Sequence, residues 1–171
     1  MKLIMLSVAF EIVSRIALAQ GAAEGWIVSE TTSPVDYAPI VTATVLARGN
    51  ADGALRQLSV HCRSGRTEMV VGGPAASESG ADYALSYRLA DNQPVQVAAG
   101  KPSFGTGVAF RGDVVGLLLS LPSEGGIAIR LASRAGAVHD GYFSLVGLKT
   151  ARDRVAAACR WPSTLARPRS E

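Results

Sequence analysis

Short segments in which apolar and polar residues alternate recur along most of this chain. This period of two is typical of β-strands that have one face in a core and the other in solvent. Val41, Ala43 and Val45 form one such apolar series, and the turn-forming run Asp91-Asn92-Gln93-Pro94 separates two others. The predicted strands cover residues 26–29, 41–48, 58–63, 67–71, 83–90, 95–98, 107–111, 127–131 and 142–146.

Two segments have helical spacing instead. Asp113 is positioned to cap a short helix over residues 114–119, which Pro122 would stop. A second helix is predicted over residues 148–160, and a Gly/Ser/Ala loop over residues 72–80. Crossover helices are missing between most strands, which disfavours a parallel sheet. The predicted fold is mainly β (α+β), an antiparallel β-sandwich-like domain with two short helices.

The first residues have the parts of a secretory signal peptide. Lys2 precedes a short apolar stretch, and Ala17-Leu18-Ala19 supplies a small-x-small cleavage site. The predicted organisation is a signal peptide at 1–19, one β-rich domain at 20–162 and a disordered tail at 163–171. The alternatives are an uncleaved amphipathic helix or a wrongly placed start. No apolar run reaches the ~18 residues that a transmembrane helix needs, so the mature form is predicted to have no transmembrane span.

The two cysteines are predicted to pair. Cys62 is on the apolar side of its strand, and Cys159 lies near the end of the second helix. In an oxidising compartment two inward cysteines form a disulfide, which would tie this helix to a strand. Two free thiols in a cytosolic protein remain the alternative, and the export signal favours the disulfide. A zinc site that includes His61 is disfavoured because His61 and Cys62 are neighbours and face opposite sides of the strand.

The charge balance argues against nucleic-acid binding. Lys and Arg total 17 against 14 Asp and Glu, a net charge of +3 without a dense basic run. The strand periodicity places four basic residues outward, and they would form a basic face if their strands were neighbours: His61, Arg63, Arg88 and Arg130. An ordinary solvated face is the other interpretation.

Catalytic chemistry has few candidate residues here. His61 and His139 are the only histidines, and there is no Gly-x-Ser-x-Gly motif. His139-Asp140-Gly141 has the composition of a turn. We therefore predict a protein that is not an enzyme and that has no cofactor and no metal. The alternatives are a periplasmic hydrolase that uses His61 or His139 as its base, and a small-ligand carrier with an apolar cavity.

Several short motifs occur in a recognisable order. They are Trp26, Ser33-Pro34-Val35-Asp36, Leu58-x-Val60-x-Cys62-Arg63, Tyr83-x-Leu85-x-Tyr87-Arg88, Phe143-x-Leu145-x-Gly147-Leu148 and Cys159-x-Trp161. In this order the chain resembles the VasI/TagO-type accessory proteins of type VI secretion systems.

The resemblance implies a periplasmic or secreted, non-catalytic protein that binds envelope or secretion-machine proteins, close to peptidoglycan or the outer membrane. Cys62 and Cys159 match the paired cysteines of that family. The residues that match its motif positions are the candidate binding residues: Ser33, Asp36, Arg63, Tyr87 and Arg88. A buried ion pair of Asp36 with Arg63 or Arg88 would be a structural role for the same residues.

Overall fold

The computed structural model describes residues 25–49, 53–77 and 83–162, and these ranges contain ten β-strands and two α-helices. The predicted signal peptide and the predicted tail lie outside the described residues. The strands are β1 (Ile27–Thr32), β2 (Pro39–Arg48), β3 (Gln57–Arg63), β4 (Arg66–Gly72), β5 (Tyr83–Leu89), β6 (Val95–Val97), β7 (Ala99–Gly100), β8 (Val108–Phe110), β9 (Gly126–Ser133) and β10 (Val138–Ser144). The helices are α1 (Val114–Ser120) and α2 (Leu148–Cys159).

All strand pairs are antiparallel, and nine of the strands follow one path, β6-β5-β9-β10-β2-β3-β4-β8-β7. β6 and β7, at the two ends of the path, are separated in the chain only by Ala98, so the sheet nearly closes on itself. β2 joins the two halves of this path, because residues 41–46 pair with β3 while Ala47 and Arg48 pair with β10; β1 pairs with the first part of β2, off the path. The mainly antiparallel β fold predicted from the alternation is confirmed.

The apolar side of the sheet forms the core. The alternating residues of β2 and β9 are buried there, and they are joined by Leu58 and Val60 of β3, Leu85 of β5 and Phe143 of β10. α2 covers this side with its own buried stripe, Leu148, Ala151, Val155 and Cys159, packed mainly against β2 and β3. Burial of such side chains is the main favourable contribution to folding.

The two helices begin and end near the predicted residues. The Asp113 carboxylate accepts a hydrogen bond of 2.8 Å from the Gly116 backbone N–H, which confirms the cap on α1. α2 follows Gly147, whose φ is +84°, and ends at Cys159, with Arg160 as its C-cap. No helix in the described part of the chain is long and apolar enough to cross a membrane.

A disulfide joins β3 to the end of α2. The Cys62 and Cys159 sulfurs are bonded at 2.07 Å, and their Cα atoms are 5.6 Å apart. The predicted link between the C-terminal helix and a strand is confirmed. It holds the helix over the core side of β2 and β3.

One local prediction is wrong, and a second gains detail. His139, Asp140 and Gly141 are not a turn but lie inside β10, where Gly141 faces the core and a Cβ would crowd Leu55 and Phe143. The turn before β10 comes earlier, where the Ser133 N–H donates to the Ala137 carbonyl at 2.8 Å. The predicted loop at 72–80 contains a short 3₁₀ turn, Pro74–Ala76, whose last residue is buried; residues 78–82 lie outside the described ranges.

Candidate functional site

The outward face of β5, β9 and β10 carries a row of side chains of unequal size. Arg88 on β5 is paired in register with Ala128 on β9, which is paired with Tyr142 on β10, and Tyr142 is paired with Arg48 on β2. In the parallel row, Ser86, Arg130 and Asp140 are cross-strand neighbours. The small Ala128 side chain therefore lies between the longer side chains of Arg88 and Tyr142.

A glycine on β9 completes this surface. A Cβ at Gly126 would collide with the hydroxyl end of Tyr142, so the ring leans over the bare backbone of β9. Tyr142 remains 45% exposed, and its ring forms one wall of the depression above Ala128. The two small residues of β9 thus create a concave region on an otherwise outward-facing sheet surface.

Two cavities meet at this place. One has a volume of about 230 Å³ and extends toward Pro94 and Gln96, next to β6. The other has a volume of about 310 Å³ and extends toward Arg48 and Gly49, at the end of β2. Both are lined by Arg88, Ala128, Arg130 and Asp140. We call this continuous depression, from Gln96 past these four residues and Tyr142 to Arg48, the arginine groove.

The charges in the arginine groove are partly compensated. Arg130 donates from Nε and Nη2 to the two carboxylate oxygens of Asp140, at 2.8 and 2.9 Å, and this contact raises the pKa of Arg130. Arg88 is exposed and has neither a hydrogen bond nor an ion pair with any other described residue. The centre of the groove therefore offers one uncompensated guanidinium group beside a neutralised pair.

The candidate residues Ser33, Asp36 and Arg63 lie together at one end of the sheet. Ser33 is buried, and its Oγ accepts from the backbone N–H groups of Val35 and Asp36 at 3.4 and 3.5 Å. The exposed Asp36 carboxylate accepts from the Ser64 hydroxyl at 3.1 Å, next to Arg63 in the chain. Hydrogen bonds from the Ser33 hydroxyl, the Ala38 N–H and the Ser64 hydroxyl hold the pKa of Asp36 below its usual value.

Arg63 has a different partner from the one considered in the sequence analysis. Its guanidinium lies 4.2 Å from the centre of the Phe104 ring, a cation–π contact. A buried Asp36–Arg63 pair is not formed, because Asp36 is exposed and bonded to Ser64. Arg63 thus joins the β3–β4 turn to the loop before β8.

Tyr87 and Arg88 lie elsewhere in the molecule, on β5. Tyr87 is half-buried and packs against the core, whereas Arg88 points outward into the arginine groove. Asp36 is bonded to Ser64, at the end of β3, and the strands β2, β10 and β9 lie between β3 and β5. Arg88 on β5 therefore does not form an ion pair with Asp36. The five candidate residues therefore form two groups.

The single basic face, which the strand pattern allowed only if the strands were neighbours, does not form for the same reason. Arg88 and Arg130 do lie on neighbouring strands, diagonal to each other. His61 and Arg63 lie on β3, which is separated from β9 by β10 and β2. The residue types and their outward phase were inferred correctly, but the strands are not neighbours.

His61 lies in a polar row on the outward side of β2, β3 and β4. Thr42 Oγ1 and His61 Nδ1 are 3.2 Å apart, and Glu68 is the cross-strand partner on β4. Glu68 is 5% exposed and accepts from the Ser103 backbone and hydroxyl at 3.0 and 2.8 Å. Burial lowers the pKa of His61, and the Glu68 charge partly offsets this effect.

Neither histidine lines the arginine groove. His139 is on β10, where it and Asp140 point to opposite sides of the strand. A histidine base would need a nucleophilic hydroxyl and a carboxylate to orient its ring. His61 has the Thr42 hydroxyl at hydrogen-bond distance, but the oxygens of the neighbouring Glu68 are already bonded to Ser103 and Arg111. Among the described residues, no group of three or more His, Cys, Asp or Glu side chains is placed to hold a metal ion.

Sequence reasoning missed three residues that shape the groove: Gly126, Ala128 and Tyr142. The available signal was that Gly126 and Ala128 share the outward phase of β9 with Arg130. Small residues there become informative only when it is known which long side chains flank them. Comparisons of this chain with protein-family models, curated proteins and solved structures found no match.

Proposed function

We propose that this protein is an exported, non-catalytic binding module that contacts other proteins of the cell envelope, in the accessory role that its resemblance to the VasI/TagO-type proteins implies. The observation that carries the proposal is the arginine groove, a concave surface with an uncompensated guanidinium at its centre. Arginine beside an aromatic wall is typical of the residues that dominate binding energy at protein interfaces.

The composition of the groove supports binding over hydrolysis. A general base must lie within hydrogen-bond reach of the group from which it takes a proton. In the groove the carboxylate of Asp140 has both oxygens occupied by Arg130, and neither His61 nor His139 is among the lining residues. The groove lies on the outward side of the sheet and has charged as well as apolar lining residues, unlike the deep apolar cavity that a small-ligand carrier would use.

The disulfide supports the proposed location. Links of this kind persist in oxidising compartments and are rare in the reducing cytosol. The Cys62–Cys159 link joins residues 97 positions apart, and both cysteines are buried in the core. A periplasmic or secreted protein acting near peptidoglycan or the outer membrane agrees with this arrangement.

The proposal is tested by crosslinking in cells that secrete the protein into their envelope. The wild type is compared with Arg88→Ala in the groove, Arg63→Ala at the loop end and Arg154→Ala on α2, each of which removes one positive charge. We expect the protein in the periplasmic fraction, with envelope partners captured by the wild type and Arg154→Ala and lost from Arg88→Ala. Recovery in the cytosol, or equal capture by all four proteins, would contradict it.

The same experiment separates the two groups of candidate residues. Loss of capture with Arg63→Ala alone would move the contact surface to the end of the sheet that holds Ser33, Asp36 and Arg63. Loss of capture with Arg88→Ala alone would mean that Arg63, through its contact with Phe104, has a structural role and does not contact the partner.

A further inference from the structure

The shape and charge of the arginine groove indicate what it binds. We infer that the groove takes an extended acidic segment of a partner protein and holds one of its carboxylates on Arg88. This inference rests on the proposed binding function and adds the chemical class of the ligand.

The charge balance favours a carboxylate. Asp140 engages Arg130 through both oxygens, so these two groups neutralise each other. Arg88 alone supplies an uncompensated charge at the centre, while Arg48 lies at the far end and has other interactions. A guanidinium group can bind one carboxylate through two parallel hydrogen bonds. A dianionic phosphate would remain under-neutralised beside the Asp140 carboxylate.

The dimensions favour an extended segment. The groove crosses the strands from Gln96 on β6 to Arg48 on β2, which are four strand spacings apart. With about 4.8 Å between neighbouring strands, this is a path of roughly 20 Å. An extended chain advances about 3.4 Å per residue, so the groove has room for roughly six residues.

The walls add a second contact. Arg88 and Tyr142 lie on either side of Ala128, with Cα atoms roughly 10 Å apart by the strand spacing. The side chain of the next peptide residue would rest on Ala128 and against the Tyr142 ring. The groove therefore recognises a carboxylate together with a neighbouring peptide side chain at a fixed distance from it.

The test is fluorescence anisotropy with a labelled octapeptide of alternating glutamate and threonine, and with its glutamine/threonine counterpart. The wild type is expected to bind the glutamate peptide and not the glutamine peptide, and to lose affinity as salt is raised. Arg88→Ala is expected to raise the Kd by about tenfold or more, since a hydrogen bond to a charged group is lost. The Kd of Arg88→Lys should lie between those of the wild type and Arg88→Ala, because lysine keeps the charge but cannot form two parallel hydrogen bonds to one carboxylate.

Two further variants separate the groove from general attraction by charge. Ala128→Leu fills the floor without changing net charge and is expected to weaken binding by about tenfold, on the scale of a lost interface contact. Arg154→Ala removes the same charge as Arg88→Ala from a distant helix and should change the Kd less than about twofold. The outward positions of Arg88 and Ala128 leave the core unchanged, and thermal unfolding of each variant checks this.

Three results would overturn the inference. These are equal affinity for the glutamate and glutamine peptides, equal weakening by Arg88→Ala and Arg154→Ala, and displacement of the peptide by inorganic phosphate at concentrations where acetate has no effect. If envelope partners are captured through Arg88 but the acidic peptide does not bind, the ligand class is wrong and the binding function stands. If the peptide binds through Arg88 and no envelope partner is captured, the ligand class stands and the proposed function fails.

Discussion

Tyr37 occupies a backbone conformation that few side chains adopt. Its φ is +53°, in the left-handed region, and its side chain is 81% exposed, so the conformation gains no packing from the ring. The loop between β1 and β2 imposes it, because the Tyr37 N–H donates to the Ser33 carbonyl at 3.0 Å and the Ser33 N–H donates to the Ala38 carbonyl at 2.9 Å. Ser33, a predicted binding residue, thus shapes this loop from its buried position.

Substitution of Tyr37 tests whether the loop is strained. Asn tolerates the left-handed region and β-branched residues do not, so Tyr37→Asn should raise the free energy of unfolding and Tyr37→Val should lower it, each by about 1 kcal/mol. Urea unfolding of the two variants and the wild type gives the order. A Val variant as stable as the Asn variant would show that the loop does not hold this conformation in solution.

His61 gives the protein a stability that depends on pH. Its pKa is lowered in the folded state, chiefly by burial, so at mildly acid pH the unfolded chain binds more protons than the folded chain. Stability from this group is full above the ordinary pKa of about 6.5 and is lost as pH falls below it.

We expect the free energy of unfolding to fall between pH 7.5 and pH 5.5, and to fall less in His61→Gln. Glutamine cannot gain a proton but keeps a polar group beside Thr42. Urea unfolding across this pH range measures the slope. An identical slope in the variant would mean that other groups cause the pH dependence.

At the scale of elements, close backbone contacts fix how the loops leave the sheet. Gly73 follows β4 with φ +150°, and a Cβ there would overlap the Ala54 carbonyl oxygen and crowd the backbone of Leu55 and Arg56. The Arg56 N–H donates to the Gly72 carbonyl at 2.7 Å, so the two backbone segments cannot move apart without losing this bond.

Gly73→Ala should therefore be much more harmful than Gly65→Ala in the β3–β4 turn. Gly65 also has a positive φ, but a Cβ there would meet no atom within 4 Å. We expect a loss of about 1 kcal/mol for Gly65→Ala and about 3 kcal/mol for Gly73→Ala, measured by thermal unfolding. Equal losses would mean that the backbone around Gly73 can open.

At the scale of the whole molecule, the near closure of the sheet and the disulfide both contribute to enclosing the core. The strand path ends at β6 and β7, which are separated in the chain only by Ala98, so the described sheet nearly closes on itself. The disulfide holds α2 over the core side of β2 and β3.

The Cys62→Ala/Cys159→Ala variant should lose up to about 4–5 kcal/mol of unfolding free energy, because the unfolded chain regains the entropy of a long open loop. Denaturant unfolding of this variant is compared with that of the wild type in the presence and absence of a reductant. Reduction should lower the stability of the wild type to a similar degree and leave the variant unchanged. No effect of reductant on the wild type would show that the link is not formed in solution.

The sequence by itself determined where most of the strands and both helices lie and which side of them faces the core. Alternation and caps are local signals, which depend on near neighbours in the chain. The strand at 41–48, the Asp113 cap and the inward positions of both cysteines could therefore be predicted. The His139-Asp140-Gly141 segment was misassigned because its turn-like composition has tertiary causes. Gly141 is small to make room for Leu55 and Phe143, and Asp140 binds Arg130 across the strand pair.

Only the tertiary structure decided the strand order, and with it the candidate site. Arg88, Ala128 and Tyr142 are distant in the chain and meet because β5, β9 and β10 are neighbours. The same order separates His61 and Arg63 from Arg88 and Arg130, although all four have the same outward phase. A period of two gives the face on which a side chain lies, whereas its neighbours across the sheet depend on pairing between strands far apart in sequence.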